Sequence, residues 1–464
     1  MDPQTNPQTK ESCDLIVHNG IVVAVDAADR IFSPGAIAIR DGRIIAVGRD
    51  AEVAQRFHAA ERLDASGGVI HPGFIDAHIH VSQYTARSVI TLMEGTTVTQ
   101  GHWKGELRPN DEHASAKLAA VDYLKCGYTG FVDPGTIFEP DAVAAVADEI
   151  GIRIWLTDPY VADRGDILRA ELGYLVSDSF LARWPRNLDE ATKRLGGQLF
   201  RNARANGLVR AFIGIFGEDT DSPELNRAAF EMARQTGVRF QKHLGYVPAT
   251  HLAHEQKLGD SIIRHLDKEG LLASHVTFIH MNLVRPDEVD TLARNQVGIV
   301  WCPYSQMQML GRGGAEPRMA ALHRAGTPVG IASDIPRTHN FDALGTLAMA
   351  ASSAAGDPLT FKEILRALTI GAAATVGAEG EVGSLEPGKL ADFVVRAATS
   401  SQGFGFDPPL ENAVIGNSQS VRHVFVNGVA RVRDGDVVQC DEGAVVAAAH
   451  ASARALAARI GLTA

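Results

Sequence analysis

The stretch HPGFIDAHIHVS, from His71 to Ser82, sets two histidines one residue apart at the end of an apolar run. Side chains two positions apart on a strand share a face, so His78 and His80 project together. Two imidazoles placed this way can chelate one ion if the fold brings further ligands to them. The reading of the whole chain therefore turns on what the other apolar runs end in.

From residue 69 onward, short apolar runs alternate with longer segments of helical period. The runs are VIHPGFIDAHIH, TGFVDPG, IRIWLTDP, VRAFIGIFGED, VRFQKHLGY, VTFIHMNL, GIVWCPYS and PVGIASD. Between them lie segments such as DEHASAKLAAVDYLKCG and SPELNRAAFEMARQTG, polar at the start and closed by glycine. Strand-like runs alternating with helices in this number predict an α/β fold, a (β/α)8 TIM barrel, whose active site lies at the C-terminal ends of its strands. Run one ends in His78 and His80, run five in His243, run six in His280 and run eight in Asp334. A barrel gathers these five residues onto one rim. Taken singly, each has an ordinary structural reading, and Asp334 alone would cap the next helix. As a set, three histidines and a carboxylate suit one divalent ion with a position left for water. His102, His113, His251, His254, His265 and His275 fall in loop or helix contexts and are read as structural.

The two ends of the chain differ from its middle. CDLIVHNGIVVAVD and GAIAIRDGRIIAVG read as short strands with Asn-Gly and Asp-Gly turns, and GKLADFVVR and VRHVFVNGVARVRDGDVV repeat that texture near the other end. Such dipeptides between β-branched runs signal hairpins. The expected organisation is a flexible tail at 1–12, a small β-sandwich built from 13–68 and 381–440, the barrel at 69–380, and a surface helix at 441–464 packed by its apolar side.

Composition narrows the partners. The chain has 464 residues, 45% hydrophobic, with 44 basic and 55 acidic side chains and a net charge of -11. No basic block points to nucleic acid. No apolar run reaches the roughly 20 residues that cross a bilayer. The N-terminus lacks the basic-then-apolar pattern of a signal peptide. The four cysteines make no CxxC pair, which fits a reduced, cytoplasmic protein and not a thiolate metal site. The expected partner is a small-molecule substrate.

At this point the residues resemble a family. PGFIDAHIH is similar to the opening motif of the metal-dependent amidohydrolase superfamily; AIAIRDGRIIAVG and GSLEPGKLADFVV resemble its terminal β-domain. CPYSQMQML and GIASD look like motifs of its s-triazine hydrolase and aminohydrolase branch. The resemblance implies that His78, His80, His243 and Asp334 hold one divalent metal, Co2+ or Zn2+ first, with Fe2+ or Mn2+ as alternatives. It implies that Asp334 takes a proton from the activated water and that His280 polarises the substrate and relays protons. Binuclear relatives use a carboxylated lysine on run four, and run four here has none. The family habit also implies a homo-oligomer, a dimer or tetramer.

The chain departs from that branch in one place. Ring deaminases of the family usually carry a glutamate three residues after the run-five histidine, where this chain has Tyr246. A phenol with a pKa of about 10 is a poor replacement for a carboxylic acid. Glu218 or Asp219, after run four, could replace it, although each also reads as an ordinary loop acid. The departure resembles the phenylurea hydrolases and the thiocarbamate hydrolase that cleaves molinate. That resemblance implies cleavage of a carbonyl C–S or C–N bond, because a thiolate leaves without a dedicated acid. The alternative is an aminohydrolase acting on an s-triazine, pyrimidine or purine ring; a catalytically silent scaffold is a third reading. Asn282 shares a face with His280, and Gln83 matches a glutamine that family members place near substrate. Trp103, Trp155, Tyr160, Trp184 and Arg186 are candidates for the pocket wall.

Overall fold

The computed structural model describes residues 10–462, except 172, 174–175, 311–314, 336–339, 399–412 and 414–417. Strands β1 (Glu11–Val23), β2 (Ile31–Arg40), β3 (Arg43–Arg49), β4 (Phe57–Asp64) and β5 (Val69–Pro72) come from the N-terminal part. After them run β6 (Phe74–Asp76), β7 (Tyr128–Val132), β8 (Arg153–Leu156), β9 (Val209–Ala211) and β10 (Ile213–Gly217). The series continues with β11 (Phe240–Leu244), β12 (Val276–His280), β13 (Gly298–Trp301) and β14 (Val329–Ile331). β15 (Phe393–Arg396), β16 (Val421–Val426), β17 (Val429–Arg433) and β18 (Asp436–Val437) complete it.

Strands β6 to β14 form the (β/α)8 barrel. Two parallel sheets, β6-β7-β8-β9 and β10-β11-β12-β13-β14, meet at both edges. At one edge, run four changes partner at Phe212, whose N–H donates to Leu156 O at 3.1 Å while Ile213 N–H donates to Arg239 O at 2.9 Å. At the other, Ala77 N–H donates to Ile331 O at 3.2 Å and Asp334 N–H to His78 O at 2.9 Å. The second contact ties the ends of the first and last strands directly together. Ile75, Ala77, Val132, Trp155, Phe212, Ile279, Val300 and Ala332 fill the interior. Helices cover the outside. Their ends follow local chemistry: Ser222 caps Pro223–Thr236 by accepting from Leu225 N–H, and Gly237 ends it at φ 71.

The terminal strands form one nine-stranded sheet, with β15–β18 joined through β5 to β1–β4. Leu15, Val17, Val22, Ile37, Ile39, Phe393 and Phe425 share one core, and Val53 of the helix Asp50–Arg56 packs with Ile16, Ala36 and Ala38 in another. The run VIHPGFIDAHIH is therefore two strands. Val69–Pro72 belongs to this sheet, pairing with β15, while the barrel's first strand starts after Gly73. A Cβ at Gly73 would lie 2.1 Å from Thr129 Oγ1, so the chain crosses between domains where only glycine fits.

The helix Glu442–Arg459 buries Val445, Ala449, Ala453, Leu456 and Ala457, one stripe at helical spacing. Its end, Leu456 and Ala457, packs on the connection after β6 with Ala86, Val89, Trp103 and Leu107, while Val445 joins the large core of the barrel. Ser452 Oγ donates to Asp111 Oδ1 at 2.7 Å and fixes the helix on Pro109–Lys125. Among the described residues no helix is long and apolar enough to cross a membrane.

Candidate metal centre and active site

The five strand-end residues meet at the C-terminal rim of the barrel, and all are buried. His78 Nε2 and His80 Nε2 face one another at 3.2 Å. Asp334 Oδ1 lies 3.5 Å from the first and 3.2 Å from the second. The ring centroid of His243 is 4.9 Å from that of His78 and 5.4 Å from that of His280.

Each donor is held from behind. His243 Nδ1–H donates to Phe216 O at 2.6 Å, which leaves its Nε2 lone pair directed inward with no protein partner. Gln83 lies 3.4 Å from His80 Nδ1, and an amide oriented with its oxygen toward Nδ1–H frees Nε2 in the same way. Ser305 Oγ, from the run-seven motif, donates to Asp334 Oδ2 at 2.7 Å and turns Oδ1 toward the imidazoles. Asp76 accepts from Ser333 N–H and His78 N–H, both at 3.1 Å, and so locks the first and last strands beneath the rim. Asp133 accepts from Val81 N–H at 3.1 Å and Thr136 N–H at 2.8 Å below the same loop.

Three imidazole nitrogens and a carboxylate in one buried cluster are hard to explain without a cation. Burial works against a charged Asp334, yet the His78 and His80 contacts hold its pKa well below the ordinary range. Burial drives His280 down to about 3, with the neighbouring imidazoles adding to it and only Asp334 opposing, so its ring is neutral. Neutral imidazoles, an ionised carboxylate and orphaned nitrogen lone pairs are the donor set of a divalent-metal site. The backbone is also strained here: His280, Met281, Asp334, Glu218 and Asp219 all have positive φ, from 47° to 78°. Strain gathered at one rim is characteristic of functional sites, where packing over-determines the geometry.

The remaining candidates divide. The ring of Tyr246 packs on His280 at 4.8 Å between centroids. Asn282 Nδ2 donates to Tyr246 O at 2.9 Å, leaving Oδ1 buried without a partner. The carboxylate of Glu218 accepts from Tyr246 N–H at 2.7 Å, which puts an acid beside the position where the sequence has a phenol. Asp219 is instead paired with His254. Tyr160 and Trp184 join Phe180 and Phe216 in an aromatic cluster that reaches the site through Phe216, 5.0 Å from the His243 ring.

Three expectations about the pocket wall do not match the structure. Trp103 points away, into the packing under the C-terminal helix. Trp155 sits inside the barrel and lines a cavity with Val238, Arg239, Ser274 and His275, which precede β11 and β12 and so mark the opposite pole. Arg186 is 82% exposed and paired with Glu190. An aromatic residue or arginine in a loop carries no periodicity that says which way it faces. Sequence reasoning also missed Phe216, Ser305 and Lys104. The first two sit within quoted motifs, but their partners are distant in the chain. Cys302 lies near His280 and Asp334, and burial pushes its thiol well above the usual range.

A barrel with a buried His–Asp cluster at its C-terminal rim defines a metal-dependent hydrolase. Residues 69–431 match the amidohydrolase family, to which the chain belongs. It is 28% identical over 393 residues to a 5-methylthioadenosine/S-adenosylhomocysteine deaminase of Symbiobacterium thermophilum, covering 82% of this chain and 84% of that one. It is 24% identical to a 5'-deoxyadenosine deaminase of Methanosarcina mazei, covering 96% and 99%. Two solved structures share the fold at a TM-score of 0.79: a zinc-bound adenosine deaminase of Xanthomonas campestris (22% identity; 97% of this chain, 99% of that one) and the zinc complex of an atrazine chlorohydrolase from Arthrobacter aurescens (24%; 95% and 100%).

Proposed function

We propose that this chain is an aminohydrolase that releases an amino group from an electron-poor nitrogen heterocycle, with His78, His80, His243 and Asp334 holding one divalent ion, zinc or cobalt. The observation that carries this reading is the Glu218 carboxylate held at Tyr246 N–H, 2.7 Å away. It supplies an acid where position 246 lacks one, and relatives named as adenosine-type deaminases support the same assignment.

A divalent ion held by His78, His80, His243 and Asp334 would supply Lewis acidity at this rim. Asp334, ionised and oriented by Ser305, is the base that accepts the proton of the attacking water. Neutral His280, at the end of β12, donates a hydrogen bond to the attacking oxygen, where negative charge gathers. Glu218 passes a proton to the ring nitrogen and recovers one from the hydroxyl of the tetrahedral adduct, while the proton that Asp334 took from the water goes to the departing ammonia. Asn282 holds the 245–246 turn that positions Glu218, and Phe216 excludes water beside His243.

One observation favours a second reading. Tyr246, not a carboxylic acid, lies against His280, which suits an acyclic carbonyl whose leaving group needs no strong acid: a thiocarbamate or N-phenylurea. Product analysis separates the two. The metal-supplemented protein is given an aminotriazine, an aminopurine nucleoside, an N-phenylurea and a thiocarbamate, and the products are identified by mass spectrometry. Ammonia from a ring substrate is the expected result. Aniline or thiol without ammonia would replace the first reading by the second.

A further inference from the structure

The connection after β6 carries a cation that the reaction above does not use. Lys104 lies in the helix Gln100–Gly105 next to Trp103, but the two side chains go separate ways. Trp103 packs under the C-terminal helix, whereas the Lys104 ammonium lies 5.4 Å from the Phe180 ring centroid. Phe180 belongs to the aromatic cluster that reaches His243 through Phe216. Lys104 is only 3% exposed, and among the described residues it has no hydrogen-bond acceptor and no carboxylate partner. The other buried lysine, Lys242, has Asp221 at 2.7 Å. The charge of Lys104 acts on Asp334 and on His80, the centre of the metal cluster.

The backbone carrying Lys104 is fixed. Ser177 Oγ donates to Gly101 O at 2.8 Å. A Cβ at Gly101 would be 2.1 Å from Val176 C, and one at Gly105 would be 2.2 Å from Ser179 Oγ. Two glycines thus let this short helix dock against Asp178–Leu181 closer than any other residue allows. Burying an ammonium whose only partner is the face of an aromatic ring is costly, and an anionic group bound beside it would offset that cost.

We propose that Lys104 is a specificity-determining residue that binds an anionic oxygen, a carboxylate, on a substrate whose apolar body lies beside Phe216. Burial draws the Lys104 pKa down to about 8, with the Asp334 charge opposing. The inference rests on the His–Asp cluster being the reaction centre and not on which bond is cleaved there.

The test compares benzoate with its neutral isostere nitrobenzene, titrated by calorimetry into the metal-loaded protein, so that binding is read without turnover. A charge-assisted contact predicts that Lys104→Met weakens benzoate at least about 10-fold while nitrobenzene binds as before. Lys104→Arg, which keeps the charge, should recover part of the loss. Removing a buried cation should also raise the urea midpoint at pH 7, because the folded state holds this proton less tightly than the unfolded chain. Unchanged benzoate binding, or equal loss of both probes, overturns the proposal. Should Lys104→Met fail to fold, Lys104→Gln is read by the same ratio of affinities. Loss of benzoate selectivity in a protein that releases no ammonia would uphold Lys104 while removing the aminohydrolase reading.

Discussion

The strand ends and the connection after β6 meet at the same site but were not equally legible. His78, His80, His243, His280 and Asp334 each end a run whose period fixes the side it faces, and all five converge. In the connection, Trp103 and Lys104 are adjacent, yet the residue singled out from sequence packs under the C-terminal helix and the overlooked one lies against Phe180. A strand limits a side chain to two directions, and the barrel decides between them for every strand at once. A loop has no such rule; its direction comes from whatever packs on it.

Predictions that would break or sharpen this comparison start with the largest effect. His243→Ala or Asp334→Ala should lower kcat/KM by at least about 10³-fold with metal content reduced, since each removes a ligand and Asp334 also a base. Chelation should do the same, and added zinc or cobalt should restore turnover. Retained hydrolysis in either variant would mean that the strand-end cluster is not the reaction centre. Glu218→Gln should cost about 10²–10⁴-fold in ammonia release if it is the acid that replaces position 246, and little if a thiocarbamate or urea is cleaved. Tyr246→Phe should change either rate by less than about threefold, because only its ring and backbone are given a role.

Trp103→Ala tests the loop from the other side. It should destabilise the protein by about 3–5 kcal/mol through the cavity it leaves, while KM for the preferred substrate moves little. A selective rise in KM with unchanged stability would return Trp103 to the pocket.

A pH-dependent effect concerns Glu112, whose carboxyl accepts from Phe138 N–H at 2.8 Å and Glu139 N–H at 2.7 Å. Burial raises its pKa from 4.5 to about 8, so the folded state binds this proton more tightly than the unfolded chain. Its contribution to stability is complete below pH 4.5 and fades as the pH rises through about 8. Unfolding midpoints measured from pH 5 to 9 should fall less steeply in Glu112→Gln than in the parent, and an identical slope would refute the assignment.

The sequence by itself determined the barrel, the β-domain shared by the two ends and the candidate ligand set, because hydrophobic period, turn dipeptides and ligand types are local properties. It could not divide VIHPGFIDAHIH at Gly73, since the two halves look alike and differ only in their partners, β15 and β7. The tertiary structure alone decided that Glu218 stands beside Tyr246, that Ser305 orients Asp334 and that Lys104 is buried without a counter-ion. Each of these joins segments tens to hundreds of residues apart, and such meetings are fixed by how the whole barrel packs, not by any pattern within one segment.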